Sequence, residues 1–504
     1  MKSLILLKVM KTERIRMMKN KLKKIISAAG AVIISLTAMP LFSVHADDLE
    51  QPEDLLTDGT FNYELVDGTY TITKCVATIV TKVPAVQNGV PVTAIGDYAF
   101  LNCTGISELT IPDSVRSIGE GAFADCRSME SIKLPKNIDY FGPAVFSGCG
   151  ALESVTIPDT ITEIPDYTFF KCYKLTDVKL PEKTTKIGAY SFYQCSSLAE
   201  LKLPASLTTI DEMALGEMFS IQNIDASACP DFTFDEGMLM DKDKSTIYRA
   251  SVDFEGDVYI PETVTTIASG AFSTCGGITN LFIPPSVTTI GADAFTYCTN
   301  IKSIDFSEGL TTIGDNAFLF DSGIESLSLP TTLTSIGNNA FSYCEGLNKV
   351  VLSEGLKKIG TDAFLGCDSL TKIIVPKSVE TIGDGALGYI VENQQRTPNK
   401  KFSMSVYSDS AAEKYAKSNK LEYTVTDKSL KRVVFIIVAV GIIIAAIVFA
   451  VVLMARGRKG ASMSAKKAQK LAKEKAEEDN YKTIIDDSDN TPETDNDKKS
   501  DSDK

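Results

Sequence analysis

Histidine, tryptophan and paired cysteines are scarce or missing in this 504-residue sequence, which has no Trp and a single His, His45. Imidazole is the commonest general base and metal ligand, so this scarcity excludes Ser-His-Asp and Cys-His hydrolases and His-rich metal sites. No Cys-x-x-Cys pair is present, which argues against structural zinc. These absences leave a binding or structural protein, or an enzyme that works through carboxylates.

Positive charge is also in deficit, with a formal net charge of −14. Affinity for nucleic acid depends on cationic contacts to phosphate, so the sequence argues against a nucleic-acid partner. Residues 1–46 carry nine basic residues and one acid, and residues 456–504 carry twelve of each sign. The remaining 47–455 therefore have a net charge of −22. This region should be soluble and should avoid anionic surfaces.

The first 46 residues have the organisation of a secretory signal peptide. A basic segment at 19–24 precedes an apolar stretch at 25–36, and Val44-His45-Ala46 forms a cleavage site before Asp47. A membrane anchor is the alternative, but the apolar stretch is too short for it. Cleavage would also remove His45, leaving the exported chain without histidine.

A second apolar segment, 433–455, contains no charged residue. Its length corresponds to roughly 34 Å of helix, which predicts one transmembrane helix rather than a buried core helix. Cationic residues follow it at Arg456, Arg458 and Lys459, so 456–504 is expected to be a cytoplasmic, partly disordered tail. The predicted location is a cell membrane, crossed once, with the N-terminal part outside.

Between these segments the sequence repeats every 23 residues. The unit is Ile-Gly-x-x-Ala-Phe-x-x-Cys-x-x-Leu-x-x-Leu-x-Ile-Pro-x-Ser-Val-x-x. Its first position falls at Ile95, Ile118, Phe141, Ile164, Ile187, Ile210, Ile267, Ile290, Ile313, Ile336, Ile359 and Ile382. Such a period predicts a solenoid of about twelve stacked units over 95–390.

Within one unit the residues favour a short strand followed by a turn and a helical segment. Leu109-Thr110-Ile111 alternates inward and outward, and Pro112 ends the strand by removing a backbone donor. Ala99, Phe100 and Cys103 supply apolar groups at helical spacing. We therefore predict a mixed α/β solenoid whose units bury their apolar faces only against each other.

One irregularity interrupts the period, because 57 residues separate Ile210 from Ile267. The insertion, about 227–260, contains the pattern of a β-hairpin at 237–248. Asp241 and Asp243 in its turn suggest calcium as an alternative. The other ligands of an EF-hand loop are missing, so an exposed turn is favoured and no metal or cofactor is expected.

Two flanking motifs accompany the unit: Asn-Gly-Val-Pro-Val-Thr-Ala-Ile-Gly at 88–96 and Tyr-Ser-Asp-Ser-Ala-Ala at 407–412. Together with the unit and the inserted hairpin they resemble the BspA-type bacterial surface leucine-rich repeat family over about 60–425. The resemblance implies a leucine-rich repeat fold on a cell surface, often linked with adhesion to proteins, cells or matrix. It supplies no catalytic residue. We assign 47–94 and 391–428 as the N-terminal and C-terminal caps.

Eleven cysteines in an exported chain suggest disulfides, but nine of them occupy one position of the unit. A small apolar side chain is needed at that position in a stacked core, and a free thiol serves it well. We therefore predict buried thiols. Bonds between neighbouring coils remain the alternative, although a uniform row defines no unique pairing.

The outward positions of the strands form the candidate ligand face. In the first half of the array this row is partly cationic, and in the second half it is partly apolar. Its members are Lys133, Lys179, Lys202, Phe282, Val351 and Ile374. Solenoids bind extended partners through such faces, although single exposed apolar residues are also common on any surface.

Adhesion or binding of an extracellular protein, matrix or glycan ligand, without catalysis, is the function these features predict. Acids such as Asp97, Asp293 and Asp362 recur at similar turn positions and form no distinctive pair, which disfavours a carboxylate enzyme. The alternative is a receptor-like or scaffolding component of a membrane complex that signals through its cytoplasmic tail.

Overall fold

Each 23-residue unit folds into one coil with a longer strand on one side, a two-residue strand on another, and a turn segment joining them. The computed structural model describes residues 56–426 and two isolated helical positions, Ile442 and Lys473. The predicted signal peptide, transmembrane helix and cytoplasmic tail lie outside the described residues, apart from those two positions.

The longer strands, here called the front strands, mostly alternate buried apolar residues with residues that face outward, as the period of two requires. They are Glu108–Thr110, Ser131–Lys133, Ser154–Thr156, Asp177–Lys179, Glu200–Lys202, Asn223–Asp225, Gly256–Tyr259, Ile278–Ile283, Ser303–Phe306, Ser326–Ser328, Lys349–Val351, Lys372–Ile374, Ser403–Val406 and Glu422–Val425.

The two-residue strands, here called the back strands, end on the first residue of each unit. They are Ser117–Ile118, Tyr140–Phe141, Glu163–Ile164, Lys186–Ile187, Thr209–Ile210, Thr266–Ile267, Thr289–Ile290, Thr312–Ile313, Ser335–Ile336, Lys358–Ile359 and Thr381–Ile382. Most front and back strands pair in parallel at a 23-residue offset, for example Leu109 with Ile132 and Ile290 with Ile313. The last two front strands pair at other offsets, Lys372 with Ser403 and Ser403 with Glu422. The predicted solenoid is confirmed.

The helical segment predicted in each unit is wrong, and the fold is mostly β. Tyr98 and Asn102 have positive φ values of 56° and 58°, a left-handed conformation that interrupts a right-handed helix. Backbone amides of this segment bond to the next coil instead, as when the Phe100 N–H donates to the Ala122 carbonyl at 2.8 Å. The apolar residues of this segment therefore lie in turns that stack on the turns of neighbouring coils, and they do not form helices.

The N-terminal end of the array is covered by five strands: Leu56–Thr57, Phe61–Val66, Thr69–Cys75, Val86–Gln87 and Val90–Ile95. Phe61–Val66 and Thr69–Cys75 form an antiparallel hairpin, and Thr69–Cys75 then pairs in parallel with Val90–Ile95. The Phe61 ring lies 5.7 Å from that of Phe100, the first phenylalanine of the repeat. The hairpin thereby shields the end of the apolar core from water.

The insertion forms three antiparallel strands, Phe232–Asp235, Met238–Asp241 and Thr246–Ala250. The predicted hairpin is confirmed. In its turn the Asp241 carboxylate accepts hydrogen bonds from the Ser245 N–H and hydroxyl, both at 2.7 Å. The strand Met238–Asp241 also lies between two hydrophobic cores: Leu239 belongs to the first, and Met238 and Met240 belong to the second.

The C-terminal end contains the hairpin Tyr389–Glu392 and Gln395–Pro398 and the helix Ala411–Ser418. Ser410 caps that helix by accepting from the Glu413 N–H at 3.1 Å. Its buried Tyr415 hydroxyl donates to the Leu387 carbonyl at 3.0 Å. Within residues 56–426 this is the only α-helix, and the described part of the chain holds no helix long and apolar enough to cross a membrane.

Candidate ligand-binding face

The front strands expose two parallel rows of side chains, one on each side of a buried central residue. In Ser131–Lys133, Asp177–Lys179 and Glu200–Lys202 the pattern is exposed, buried, exposed. The outward row predicted from the sequence is the second of these two rows. Its members project from one surface, so their relative positions follow from strand pairing.

The three predicted lysines, Lys133, Lys179 and Lys202, are all exposed. They do not form one cluster, because Lys133 and Lys179 stand on either side of the strand Ser154–Thr156, roughly 10 Å apart at the normal strand spacing. Lys202 lies in register with Asp225. The pKa of Asp225 is lowered, mainly by the hydrogen bond from the Ser227 hydroxyl and to a lesser degree by Lys202.

The three predicted apolar residues are half-buried rather than fully exposed. Val351 and Ile374 lie in register on neighbouring strands and cover each other. Phe282 stacks on Tyr259 with ring centroids 4.4 Å apart and planes 6° from parallel. The six candidate residues thus fall into separate groups along the array.

Tyr259 is the member of this face that the sequence interpretation missed. Its side chain is 56% exposed although it stacks on Phe282. It was assigned to the insertion, yet it lies one 23-residue period before Phe282 and pairs with it in register. Extending the period backward through the insertion boundary would have identified it.

A cleft of about 340 Å³ lies where the array is interrupted, between the back strand Thr209–Ile210 and the back strand Thr266–Ile267. Its two acids already have partners. Asp211 forms a 2.7 Å ion pair with Lys186, and Glu212 accepts from the Ser269 hydroxyl at 3.2 Å. Across residues 56–426 no group of three or more His, Cys, Asp or Glu side chains has the arrangement of a metal site.

Apart from the neighbouring Glu217 and Asp293, the carboxyl groups with raised pKa values are dispersed and not gathered in one catalytic cavity. Burial, followed by the nearby Glu217, raises the pKa of Asp293 to about 7. Burial alone raises that of Asp305 on the front face, and burial raises that of Asp321 well above its usual range in the core. These residues belong to different sides of the coil, so they do not form an acid–base pair.

The cysteine row packs as predicted, and ten of the eleven thiols are buried. Seven thiols of the row donate to a phenylalanine carbonyl of the preceding coil; Cys126, for example, reaches the Phe100 carbonyl at 3.1 Å. Cys275, the first of the row after the insertion, donates to the Ser251 carbonyl at 3.3 Å instead. Cys103, the first of the row, is only partly buried. The cysteines are therefore core residues of the solenoid.

Comparison with known proteins agrees with this architecture. The sequence matches the BspA type leucine rich repeat region in six copies, over 92–229, 265–394 and 311–423. No curated protein matches the chain.

Two solved structures of bacterial proteins are similar over most of the chain. A leucine rich cell surface protein from Faecalibacterium prausnitzii is 25% identical, with a TM-score of 0.53, covering 74% of this chain and 99% of that one. The pneumococcal vaccine antigen PcpA is 18% identical, with a TM-score of 0.56 and coverage of 74% and 98%, which supports the fold alone. Together with the six repeat copies, the stacked parallel strands place the chain in the BspA-type leucine-rich repeat family.

Proposed function

We propose that this chain is a cell-surface, membrane-anchored protein that binds an extracellular protein, matrix or glycan ligand through its front strands. The observation that carries the proposal is the exposed pair of side-chain rows on a rigid stack of parallel strands. The three-residue front strands bury their central residue, so the backbone holds the outward side chains at fixed spacing. A preorganised face of this kind loses little entropy when it binds.

The proposed surface location rests on the sequence segments 1–46 and 433–455 and on family membership. The relative from F. prausnitzii is described as a cell surface protein. Export would place the acidic region 47–432 outside the cell, and the cationic residues after 455 would retain the tail in the cytoplasm.

The role proposed for the face is binding without catalysis and without a cofactor. Leucine-rich repeat proteins of this family act in general as binding scaffolds, and apart from the neighbouring Glu217 and Asp293 the carboxylates with raised pKa values are dispersed in the described residues. A catalytic role would need acid and base groups facing one bound substrate.

The test is capture of immobilised matrix proteins and glycans by bacteria that display the full-length chain. The double variant Phe282→Asp with Ile374→Asp should reduce capture several-fold, because it places charge on both half-buried apolar groups. The melting temperature of each variant is measured in parallel. The matched control is Tyr140→Asp with Tyr173→Asp, two exposed tyrosines outside the front strands, which should leave capture unchanged. Unaltered capture by the front-face variant with an intact fold would contradict the proposal.

A receptor-like or scaffolding role is the second candidate, because residues 456–504 offer a tail with twelve charges of each sign for a cytoplasmic partner. Deletion of 464–504 separates the two roles. Adhesion that is unchanged by the deletion supports the binding protein, and a cellular response that disappears while capture persists supports the receptor.

A further inference from the structure

One part of the front face differs in charge from the rest. The strands Gly256–Tyr259, Ile278–Ile283 and Ser303–Phe306 form a separate three-stranded sheet. They contain two aspartates and no lysine or arginine, although the exposed Lys302 directly precedes the third strand. Front strands farther along the array in both directions carry outward lysines such as Lys202 and Lys349. The outward residues of this sheet, called here the aromatic–carboxylate patch, are Asp257, Tyr259, Asn280, Phe282, Ser303 and Asp305.

The patch consists of two rows set by strand register. In one row Tyr259, Phe282 and Asp305 are consecutive partners across the strands. The rings of Tyr259 and Phe282 are nearly parallel at 4.4 Å, so each holds the other in place. Tyr259 remains 56% exposed. A flat aromatic surface is therefore already ordered before any ligand arrives.

The second row is a hydrogen-bonded line of polar side chains. The Asn280 amide donates to the Asp257 carboxylate at 2.6 Å, and the Ser303 hydroxyl donates to the Asn280 carbonyl oxygen at 2.6 Å. These bonds fix the Asp257 carboxylate about 7 Å from the Tyr259 position along the same strand. The aromatic surface thus has a positioned anion beside it.

Asp305 adds a second negative charge next to Phe282. Its side chain is exposed, and it forms no hydrogen bond or ion pair with any residue of the described range. Partial burial raises the pKa of Asp305, which is the response of a carboxylate beside apolar groups without a compensating cation. The negative charge of Asp305 is therefore uncompensated within the described residues.

We propose that the aromatic–carboxylate patch binds an arginine side chain of an extended segment in a partner protein. A guanidinium group is planar, stacks on aromatic rings and donates hydrogen bonds to carboxylates in the same plane. Against Tyr259 it lies within reach of Asp257, and Asp305 extends the negative potential along the row. The acidic net charge of 47–455 favours the approach of a cationic segment. This inference rests on the proposed binding function and specifies its ligand chemistry.

The test uses the full-length chain in detergent, immobilised on a biosensor, with an unstructured peptide of alternating arginine and serine. Peptides of equal length with lysine or glutamine in place of arginine are compared. We expect arginine to bind best, lysine more weakly and glutamine not at all. Tyr259→Ala should weaken arginine-peptide binding roughly two- to fivefold, the usual size of an exposed cation–π contact. Asp305→Asn should weaken it similarly and reduce its dependence on salt.

Two control variants separate the patch from general surface effects. Tyr259→Phe keeps the ring and should retain binding, and Tyr140→Ala removes an equally exposed tyrosine, 53% exposed, from a back strand and should have no effect. Equal binding of the arginine and glutamine peptides, or equal losses in Tyr259→Ala and Tyr140→Ala, would overturn the proposal. The proposal would also be overturned if the chain captured a neutral glycan, this capture required Tyr259, and the arginine peptide did not bind.

The same measurements distinguish this inference from the general function. If immobilised matrix proteins or glycans are captured and Tyr259→Ala changes nothing, the arginine site is wrong and the binding function stands. If the arginine peptide binds at Tyr259 but displayed cells capture no extracellular ligand, the surface-binding function is wrong and the site stands.

Discussion

A single side chain, Asp321, interrupts an otherwise uniform row of core residues. It occupies the cysteine position of its unit, between Cys298 and Cys344, and is fully buried. Neither carboxylate oxygen has a hydrogen-bond partner in the described part of the chain. Burial raises the pKa of Asp321 well above its usual range, and the Cys298 backbone opposes this only in part. Burial in the apolar core therefore favours the protonated form of this carboxyl group.

Replacing Asp321 with Cys should stabilise the protein at neutral pH. The raised pKa means that the folded chain holds a proton that the unfolded chain releases above about pH 4. The free energy of unfolding therefore falls as the pH rises from about 4 towards the pKa of Asp321 in the folded protein. Asp321→Cys removes this loss together with the unsatisfied oxygens, a gain of roughly 1–3 kcal/mol. Thermal melts should show a higher Tm for the variant at pH 7 and a smaller difference at pH 4.

The reverse substitution is the control for that prediction. Cys298→Asp places a second carboxyl in the same row, one coil away, and should lower the Tm at pH 7 more than at pH 4. A Tm of Asp321→Cys below that of the natural chain at pH 7 would contradict the account of Asp321.

At the scale of the structural element, the phenylalanine row joins successive coils. Phe295, Phe318 and Phe341 are fully buried, and their rings stack at 5.1 and 5.2 Å with planes within 2° of parallel. Each ring fills space that no residue of its own coil can fill. Loss of one ring therefore leaves a cavity between three coils.

Phe318→Ala should lower the free energy of unfolding by about 3–5 kcal/mol, the usual cost of removing a fully buried ring. Urea denaturation of the full-length chain in detergent measures this change. Phe219→Ala is the matched control, since Phe219 is 47% exposed and its loss should change stability little. Equal losses of stability in Phe318→Ala and Phe219→Ala would show that the buried phenylalanine row contributes no more to stability than an exposed ring does.

At the scale of the whole described unit, two hydrophobic cores meet at the insertion, and Arg249 joins them. This arginine is fully buried. Its guanidinium donates to the Met218 carbonyl at 2.9 Å on the N-terminal side, and to the Gly270 carbonyl and the Ser273 hydroxyl at 2.8 and 2.7 Å on the C-terminal side. Burial lowers its pKa, and the nearby Glu217 opposes that shift. The junction is thus polar where the rest of the array is apolar.

Arg249→Met should destabilise the junction by roughly 3–5 kcal/mol, because the Met218 and Gly270 carbonyls lose their hydrogen-bond donor and Glu217 loses a nearby positive charge. Since units of a solenoid interact mainly with their neighbours, the two cores should then unfold separately. Calorimetry of the full-length chain should resolve two transitions in the variant. Arg127→Met, at an arginine whose side chain is 70% exposed, should shift the transition by no more than about 0.5 kcal/mol. A single calorimetric transition at unchanged temperature in Arg249→Met would show that Arg249 does not couple the unfolding of the two cores.

The period of 23 residues by itself determined most of the architecture. Repeated apolar positions must stack on their own copies to be buried, so the number of coils, the inward side of each front strand and the core position of Cys126 and Phe123 were readable from the sequence. The inserted hairpin was also readable, because its alternation and charged turn are local properties.

The tertiary structure alone decided the features that depend on neighbouring coils. The segment from Tyr98 to Asn102 has helical spacing but adopts turns, because hydrogen bonds to the next coil replace those within a helix. Strand register brought Tyr259 onto Phe282, and the meeting of two cores buried Arg249. Local sequence determines which side chains a strand turns outward, but contacts between residues 23 or more positions apart determine which of them become a site.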